Sequence, residues 1–261
     1  FGYWAHKVLL DFAKISIESE KEIINYLTNH PNINWVTSCS GGWDIVFAIM
    51  AKNPKQFDDT LREIIKKIGN NIRDYKIATS IEASTFGHTY ILESVKESEK
   101  IKRNTNELDF DEKDKQIALQ LHKNARIRLM DIATNTKISI DTVNYRIKKL
   151  EKSKIIKRYR LIIDSSKLGY NRFEIFLRCT NLSDEVINKF KEFAQQEPHV
   201  EYFSKCSGSW DIEMTVHFKT NTKLRTFILE VKERFGEYIQ KFETLTLFET
   251  YNYVSLPEEL R

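Results

Sequence analysis

The heptad CSGGWDI at Cys39–Ile45 returns as CSGSWDI at Cys206–Ile212, 167 residues further on. The same offset holds well beyond the heptad. Phe1–Tyr3 (FGY) falls on Leu168–Tyr170 (LGY), Pro31 on Pro198, Lys52 on Lys219, Gly69 on Gly236, Thr79 on Thr246 and Glu82 on Glu249, and the register runs without a gap from Phe1 to Leu92. Apolar character follows it too, since Val8, Leu10 and Phe12 match Ile175, Leu177 and Cys179. A duplicated domain accounts for this better than two converging loops, and it constrains the fold strongly: what one copy forms, the other forms as well.

Each copy reads strand, helix, strand, strand, helix, strand. In the first copy, alternating apolar residues predict a strand over about residues 5–13. SEKEIINYLTNH follows at helical spacing, with Ser19 as its N-cap. INWVTSCSG and WDIVFAIMA are β-rich runs joined at Gly41-Gly42, and their twins join at Gly208-Ser209; such dipeptides suit tight hairpins because these turns need positive φ. NPKQFDDTLREIIKKIGNNI is an amphipathic helix with Phe57, Leu61, Ile64, Ile65 and Ile68 on one side. RDYKIATSIEAS is the last strand. This order is the split βαβ, or ferredoxin-like, arrangement.

The copies differ on one face of the third strand. Val46, Ala48 and Met50 in the first stand where the second has Glu213, Thr215 and His217. Alternation places these residues on the side of the sheet away from the helices. An apolar open face has to be covered, so the first copy's sheet is expected to be more deeply buried against a partner sheet than the second's.

Charge singles out the segment between the copies. Residues 101–163 carry 16 Lys and Arg against 8 Asp and Glu, while residues 1–100 carry 12 against 13 and residues 164–261 carry 13 against 16. A basic balance confined to one short module is the footprint of a polyanion-binding surface. Residues 93–106 are polar and charged without apolar period and read as a linker. Beyond them, Ile117, Leu119 and Leu121 lie in a helix starting near Asp111, and Leu129, Ile132 and Ala133 in a short second helix. TKIS makes a turn, and Ser139 caps a third helix running to about Lys152. On a helical wheel Val143, Ile147 and Leu150 face the core. Asp141, Thr142, Tyr145, Lys148, Lys149 and Lys152 lie opposite, with Asn144 and Arg146 on the flanks. A short helix, a tight turn and a helix with a polar-basic outer face form the helix-turn-helix plan, whose second helix enters the major groove. Ser139, Thr142, Asn144, Tyr145, Arg146, Lys148, Lys149 and Lys152 are the expected DNA-binding residues. Lys154, Lys157, Arg158 and Arg160 would add phosphate contacts, and IIKRYRLII supplies a β-wing.

With these segments in view, the chain resembles the Lrp/AsnC (leucine-responsive, feast/famine) family of transcription regulators. The resemblance is carried by LDFDEKDKQIALQLHKNARI, by ISIDTVNYRIKKLEKSKIIKRY and by the SGGWD and SGSWD hairpins. In that family one winged helix-turn-helix precedes one ferredoxin-like regulatory domain; the repeat in this chain departs from that plan and reads as an α+β chain with two ferredoxin-like βαββαβ domains flanking a winged helix-turn-helix. The expected parts are a regulatory domain over residues 1–92, a linker over 93–106, the DNA-binding domain over 107–165 and a second regulatory domain over 166–261. The resemblance implies double-stranded DNA as partner, regulatory sheets that pair face to face into a homo-oligomer, and a small-molecule effector, often an amino acid, bound near that pairing. Carried over by position, the effector candidates are Gly41, Gly42, Trp43 and Asp44 with Gly208, Ser209, Trp210 and Asp211; the alternative for this heptad is a turn made by Asp and Gly with Trp in the core. The family places its helix-turn-helix first. Phe1 stands where the second copy has just left that module, so a further helix-turn-helix upstream is expected; the alternative is a chain with one.

Other functions find little support in the residues. No GxGxxG, P-loop, GxSxG or HExxH occurs. His6, His30, His88, His122, His199 and His217 do not fall at ligand spacings, and Cys39, Cys179 and Cys206 form no CxxC. No catalytic residue, metal or cofactor is therefore expected, nor a membrane span, and the sparse cysteines suit a reducing, cytoplasmic setting. One enzyme alternative is siroheme decarboxylase, which resembles the same fold family; His217 on the sheet face carries that reading.

Overall fold

A computed structural model describes residues 2–91, 99–101, 110–156, 159 and 163–253. They divide into two compact units. The larger holds both copies of the repeat. The first copy runs β1 (Trp4–Phe12), α1 (Ile17–Asn29), β2 (Ile33–Ser40), β3 (Ile45–Ala51), α2 (Pro54–Ile68) and β4 (Ile72–Thr85). A short strand β5 (Glu99–Ile101) lies within the span expected as a linker and pairs with the end of β4. The second copy runs β6 (Asn171–Cys179), α6 (Asp184–Gln196), β7 (Val200–Gly208), β8 (Ile212–Phe218), α7 (Asn221–Phe235) and β9 (Ile239–Tyr253). Helix α1 starts earlier than expected. Ser16, not Ser19, is its N-cap, because the Ser16 hydroxyl accepts the Ser19 N–H at 3.1 Å.

Within the copies the antiparallel strand orders are β4-β1-β3-β2 and β9-β6-β8-β7. The copies are joined edge to edge by β2 with β9 and β7 with β4. These two seams repeat each other in the 167-residue register: Ser40 faces Thr246 and Ser207 faces Thr79, while Cys39 faces Leu247 and Cys206 faces Ser80. Because β1 also pairs with β4, eight strands close on themselves, and among the described residues only β5 hangs outside the ring. Closure removes the exposed edges that an isolated four-stranded sheet would present.

Strand alternation then sorts the core into three layers. Val8, Leu10, Ile45, Phe47 and Ile49 pack outward against Ile24, Leu27, Leu61 and Ile64 of α1 and α2. Ile175, Leu177, Ile212, Met214 and Val216 do the same against Phe190, Phe193, Phe227 and Val231 of α6 and α7. Between the sheets lie Leu9, Trp35, Trp43, Val46, Ala48, Phe176, Trp210, Leu245 and Leu247. The expected difference in burial between the two open faces is absent. Val46 and Ala48 are 0% and 7% exposed and Met50 is half-buried, while Glu213, Thr215 and His217 are 2%, 3% and 2% exposed. The reason is that each sheet covers the other within one chain. The sheets expected to join chain to chain are already paired, and the polar residues of the second copy are tolerated because each finds a partner inside.

The smaller unit holds α3 (Glu112–Lys123), α4 (Leu129–Thr136) and α5 (Ile140–Lys152) around Ile117, Ile132, Ala133, Val143, Ile147 and Leu150. Among the described residues no helix is long and apolar enough to cross a membrane, and no group of three or more His, Cys, Asp or Glu could hold a metal.

Candidate DNA interface

The outward face of α5 is held in place by contacts on its inward side and at its ends. Ser139 accepts the Thr142 N–H at 3.1 Å, and the two hydroxyls lie 2.8 Å apart. Lys137, with φ of 56°, makes the left-handed residue that ends α4 and turns the chain into α5. Lys113 Nζ donates to the Thr136 carbonyl at 2.6 Å and so covers an open end of α4. Asp111 caps α3 in a capping box with Asp114. Asp114 is fully buried, and Arg146 of α5 donates through Nη1 to Asp114 at 2.8 Å and to Asp111 at 2.7 Å. The Asp111 carboxyl is held below its usual range, first by the Asp114 backbone N–H and then by Arg146. These bonds fix the rotation of α5 about its own axis relative to α3.

That rotation buries Val143, Ile147 and Leu150 and leaves Ser139, Asp141, Asn144, Tyr145, Lys148 and Lys152 exposed, with Thr142 half-buried. Tyr145 is 69% exposed, far more than a tyrosine with a packing role needs. Two of the expected DNA contacts are placed differently. Arg146 is turned onto the two carboxylates of α3, and Lys149 leans toward Asp114 at 3.8 Å. A buried carboxylate needs a cation, and residues 146 and 149, one turn apart, supply it. Lys154 is exposed. Lys157, Arg158 and Arg160 of the expected wing lie outside the described residues. The remaining face offers hydroxyl, amide and phenol groups toward the start of the helix and ammonium groups toward its end, which suits base edges and phosphates respectively.

The hairpin candidates lie in the larger unit, and the two sets repeat each other. The Asp44 carboxylate accepts the Phe12 N–H and the Asp211 carboxylate the Cys179 N–H, both at 2.8 Å. The Asp44 and Asp211 N–H groups donate to Leu10 and Leu177. Trp43 and Trp210 are 8% and 2% exposed between the sheets. Gly41 and Gly208 have φ of 119° and 137°, and each faces the last strand of the other copy: an added Cβ would stand 2.8 Å from the Thr244 carbonyl and 2.5 Å from the Ile77 carbonyl. Ser209 N–H donates to Ile77, and Ser209 Oγ accepts the Ile77 N–H. Gly42 is exposed with open space around it. The heptad is thus the point where each copy grips the other.

Two polar clusters between and beside the sheets gather residues the sequence places on the open face, Glu213, Thr215 and His217, with partners it did not reveal. Lys7 Nζ donates to Glu174 at 3.0 Å and bonds Glu213, Thr215 Oγ1 donates to Glu174 at 3.0 Å, and Trp210 Nε1 donates to Glu213 at 3.3 Å. Burial pushes the Glu213 carboxyl up to about 8, with Lys7 opposing and Glu174 adding to the shift. The repeat register does set Lys7 against Glu174, which is the signal that could have found this cluster. The second cluster centres on His217, whose ring nitrogens lie 2.7 Å from Glu201 and 3.1 Å from Ser165, with Tyr90 stacked on it at 4.5 Å. Burial alone would raise the Glu201 carboxyl; the His217 hydrogen bond and the Arg172 charge outweigh it and hold the group at about 2.

A short helix and a tight turn set a solvent-facing polar-basic helix on a small three-helix core, and that makes this a helix-turn-helix protein. Residues 110–157 match the family described as winged helix-turn-helix DNA-binding. The chain is 31% identical over 140 residues to the regulatory protein AsnC of Haemophilus influenzae, covering 52% of this chain and 90% of that protein. It belongs to the Lrp/AsnC family of transcription regulators. In fold, the AsnC family transcriptional regulator of Agrobacterium tumefaciens matches 57% of this chain and 98% of its own, with a TM-score of 0.52 at 22% identity. The siroheme decarboxylase NirDL matches 98% of this chain and 74% of its own, with a TM-score of 0.64 at 11% identity. That likeness shows a fold shared along nearly the whole chain.

Proposed function

We propose that this chain regulates transcription by binding double-stranded DNA in a sequence-dependent manner through α5. The observation that carries the reading is the exposed face of Ser139, Asn144, Tyr145, Lys148 and Lys152 on a helix whose rotation is locked by Arg146 and Asp114. Lys148, Lys152 and Lys154 grip phosphates, and Thr142, Asn144 and Tyr145 read bases. The repeat forms two ferredoxin-like regulatory domains, supported by the matching element orders of the two copies. If a second helix-turn-helix joins the first, through an upstream module or a second chain, the two half-sites lie about 34 Å apart or a multiple of that. Self-association would use surfaces other than the sheet faces. An effector such as an amino acid would bind beside the hairpin at Gly42, since Gly41, Gly208, Ser209 and the two tryptophans are engaged in the pairing of the copies and Asp44 and Asp211 hold the Phe12 and Cys179 N–H groups of their own copies.

The test is selection of bound duplexes from a random pool, followed by affinity measurements across a salt series. Lys148→Ala should weaken binding to all sequences alike and reduce the slope of log affinity against log salt by about 1. Tyr145→Ala or Asn144→Ala should relax preference at one base position, at about 1–3 kcal/mol per lost contact. No affinity for any duplex at low salt would end the reading.

The match to NirDL favours one second reading, a siroheme decarboxylase-type enzyme. His217 suits it poorly as an iron ligand, because both ring nitrogens already face Ser165 and Glu201. A change in the absorption spectrum of an iron tetrapyrrole on mixing with the protein would revive it.

A further inference from the structure

In a two-fold pairing of identical sheets, a residue on the axis meets its own counterpart. The two copies here are paired in that way, so residues 167 apart that touch mark the axis. Two such pairs do. Lys7 meets Glu174 at 3.0 Å inside, and Lys76 meets Glu243 at 2.9 Å nearer the surface. Both pairs have opposite charge, and in both the cation belongs to the first copy. Around Lys7 the surroundings keep the same bias, whereas at the outer pair Lys241 of the second copy also bonds Glu243. Glu213 joins Glu174 around Lys7, whereas its counterpart in the first copy is the apolar Val46. Lys7 lies over the Trp35 ring of the first copy at 4.7 Å and the Phe176 ring of the second at 5.8 Å, and Lys76 over the Trp43 ring of the first at 5.0 Å.

Consider each copy paired with its own kind. Two first copies would bring Lys7 against Lys7 and Lys76 against Lys76 without a carboxylate at either place. Two second copies would bring Glu174 against a second Glu174, with the Glu213 carboxyls beside them and no cation among them. Like charges at such distances, away from water, repel strongly, and no counterion can enter a closed barrel readily. We propose that the two sheet faces carry a charge code in which the first copy accepts only the second, so that the chain closes its regulatory barrel on itself and rejects like-with-like pairing between chains. The code leaves the shared backbone untouched, which explains how the copies keep matching hairpins and seams yet differ on the face that joins them.

Single substitutions in the intact chain reproduce the rejected pairings. Glu174→Lys sets lysine against lysine, as two first copies would, and Lys7→Glu sets glutamate against glutamates, as two second copies would. Each should lower Tm by about 10 °C, in line with the cost of breaking a buried pair in a chain of this size. The double variant Lys7→Glu with Glu174→Lys should recover more than half of that loss. If it is as unstable as the two losses combined, the code does not exist. Should the inner singles fail to fold, Lys76→Glu, Glu243→Lys and their combination, each with Lys241→Gln because Lys241 also bonds Glu243, ask the same question at a half-exposed pair. There the losses should be a few degrees, should be smaller in high salt, and should be recovered in the double. Absence of that recovery would equally overturn the proposal.

Discussion

Gly208 sits where the Ile77 carbonyl of the other copy leaves 2.5 Å for a Cβ, and its φ is 137°. Both the backbone angle and the close approach exclude a side chain, so Gly208→Ala should cost about 3 kcal/mol or more. Gly42 has φ of 108° but open space, so Gly42→Ala should cost only about 1 kcal/mol from backbone strain. Urea midpoints at unchanged m-value would measure the difference, and equal losses would show that the approach of the two copies is not what Gly208 serves. Asp211→Ala should cost about 1–3 kcal/mol, because it strands the Cys179 N–H that the carboxylate accepts at 2.8 Å. The heptad could be found in the sequence, but its use could not. Gly, Trp and Asp in a hairpin suit a ligand loop and a structural grip equally well, and only the partner strand distinguishes them.

At the scale of the element, α5 depends on one buried carboxylate. Asp114→Asn keeps the shape but removes the charge facing Arg146 and weakens the capping box of α3, so it should destabilise the helix-turn-helix by about 2–3 kcal/mol. DNA affinity should fall with it, although Asp114 itself is buried away from any duplex. Lys137 pays for a left-handed turn that glycine would make more easily, so Lys137→Gly should add about 1 kcal/mol of stability in thermal melts. The three helices, their caps at Ser139 and Asp111 and the inward row Val143, Ile147 and Leu150 were legible, because helix periodicity and capping are local. The inward turn of Arg146 was not: on the wheel it lies at the flank, and its direction depends on Asp111 and Asp114, more than thirty residues earlier.

For the whole molecule, the interior of the barrel makes stability depend on pH. Glu213 rises from its ordinary 4.5 to about 8, so the folded chain holds a proton there that the unfolded chain has released. Stability from this group is therefore complete below about 4.5 and falls as pH climbs toward 8. The groups facing it are Lys7, Glu174, Tyr202 and Cys206. Comparing Glu213→Gln with the parent isolates its share: the Tm of the variant should gain on the parent steadily from pH 5 to pH 8, and a constant gap would show that Glu213 does not titrate there. By itself the sequence determined the repeat, the order of strands and helices in each copy, the basic module between them and the family, because all of these reside in spacing, alternation and local charge. Which sheet covers which, the closing of eight strands within one chain and the pairing of Lys7 with Glu174 were decided only by the tertiary structure. The contacts that settle them join residues far apart in the chain, Ser40 with Thr246, Thr79 with Ser207 and Lys7 with Glu174, and no local pattern records the energy of a meeting between such distant groups.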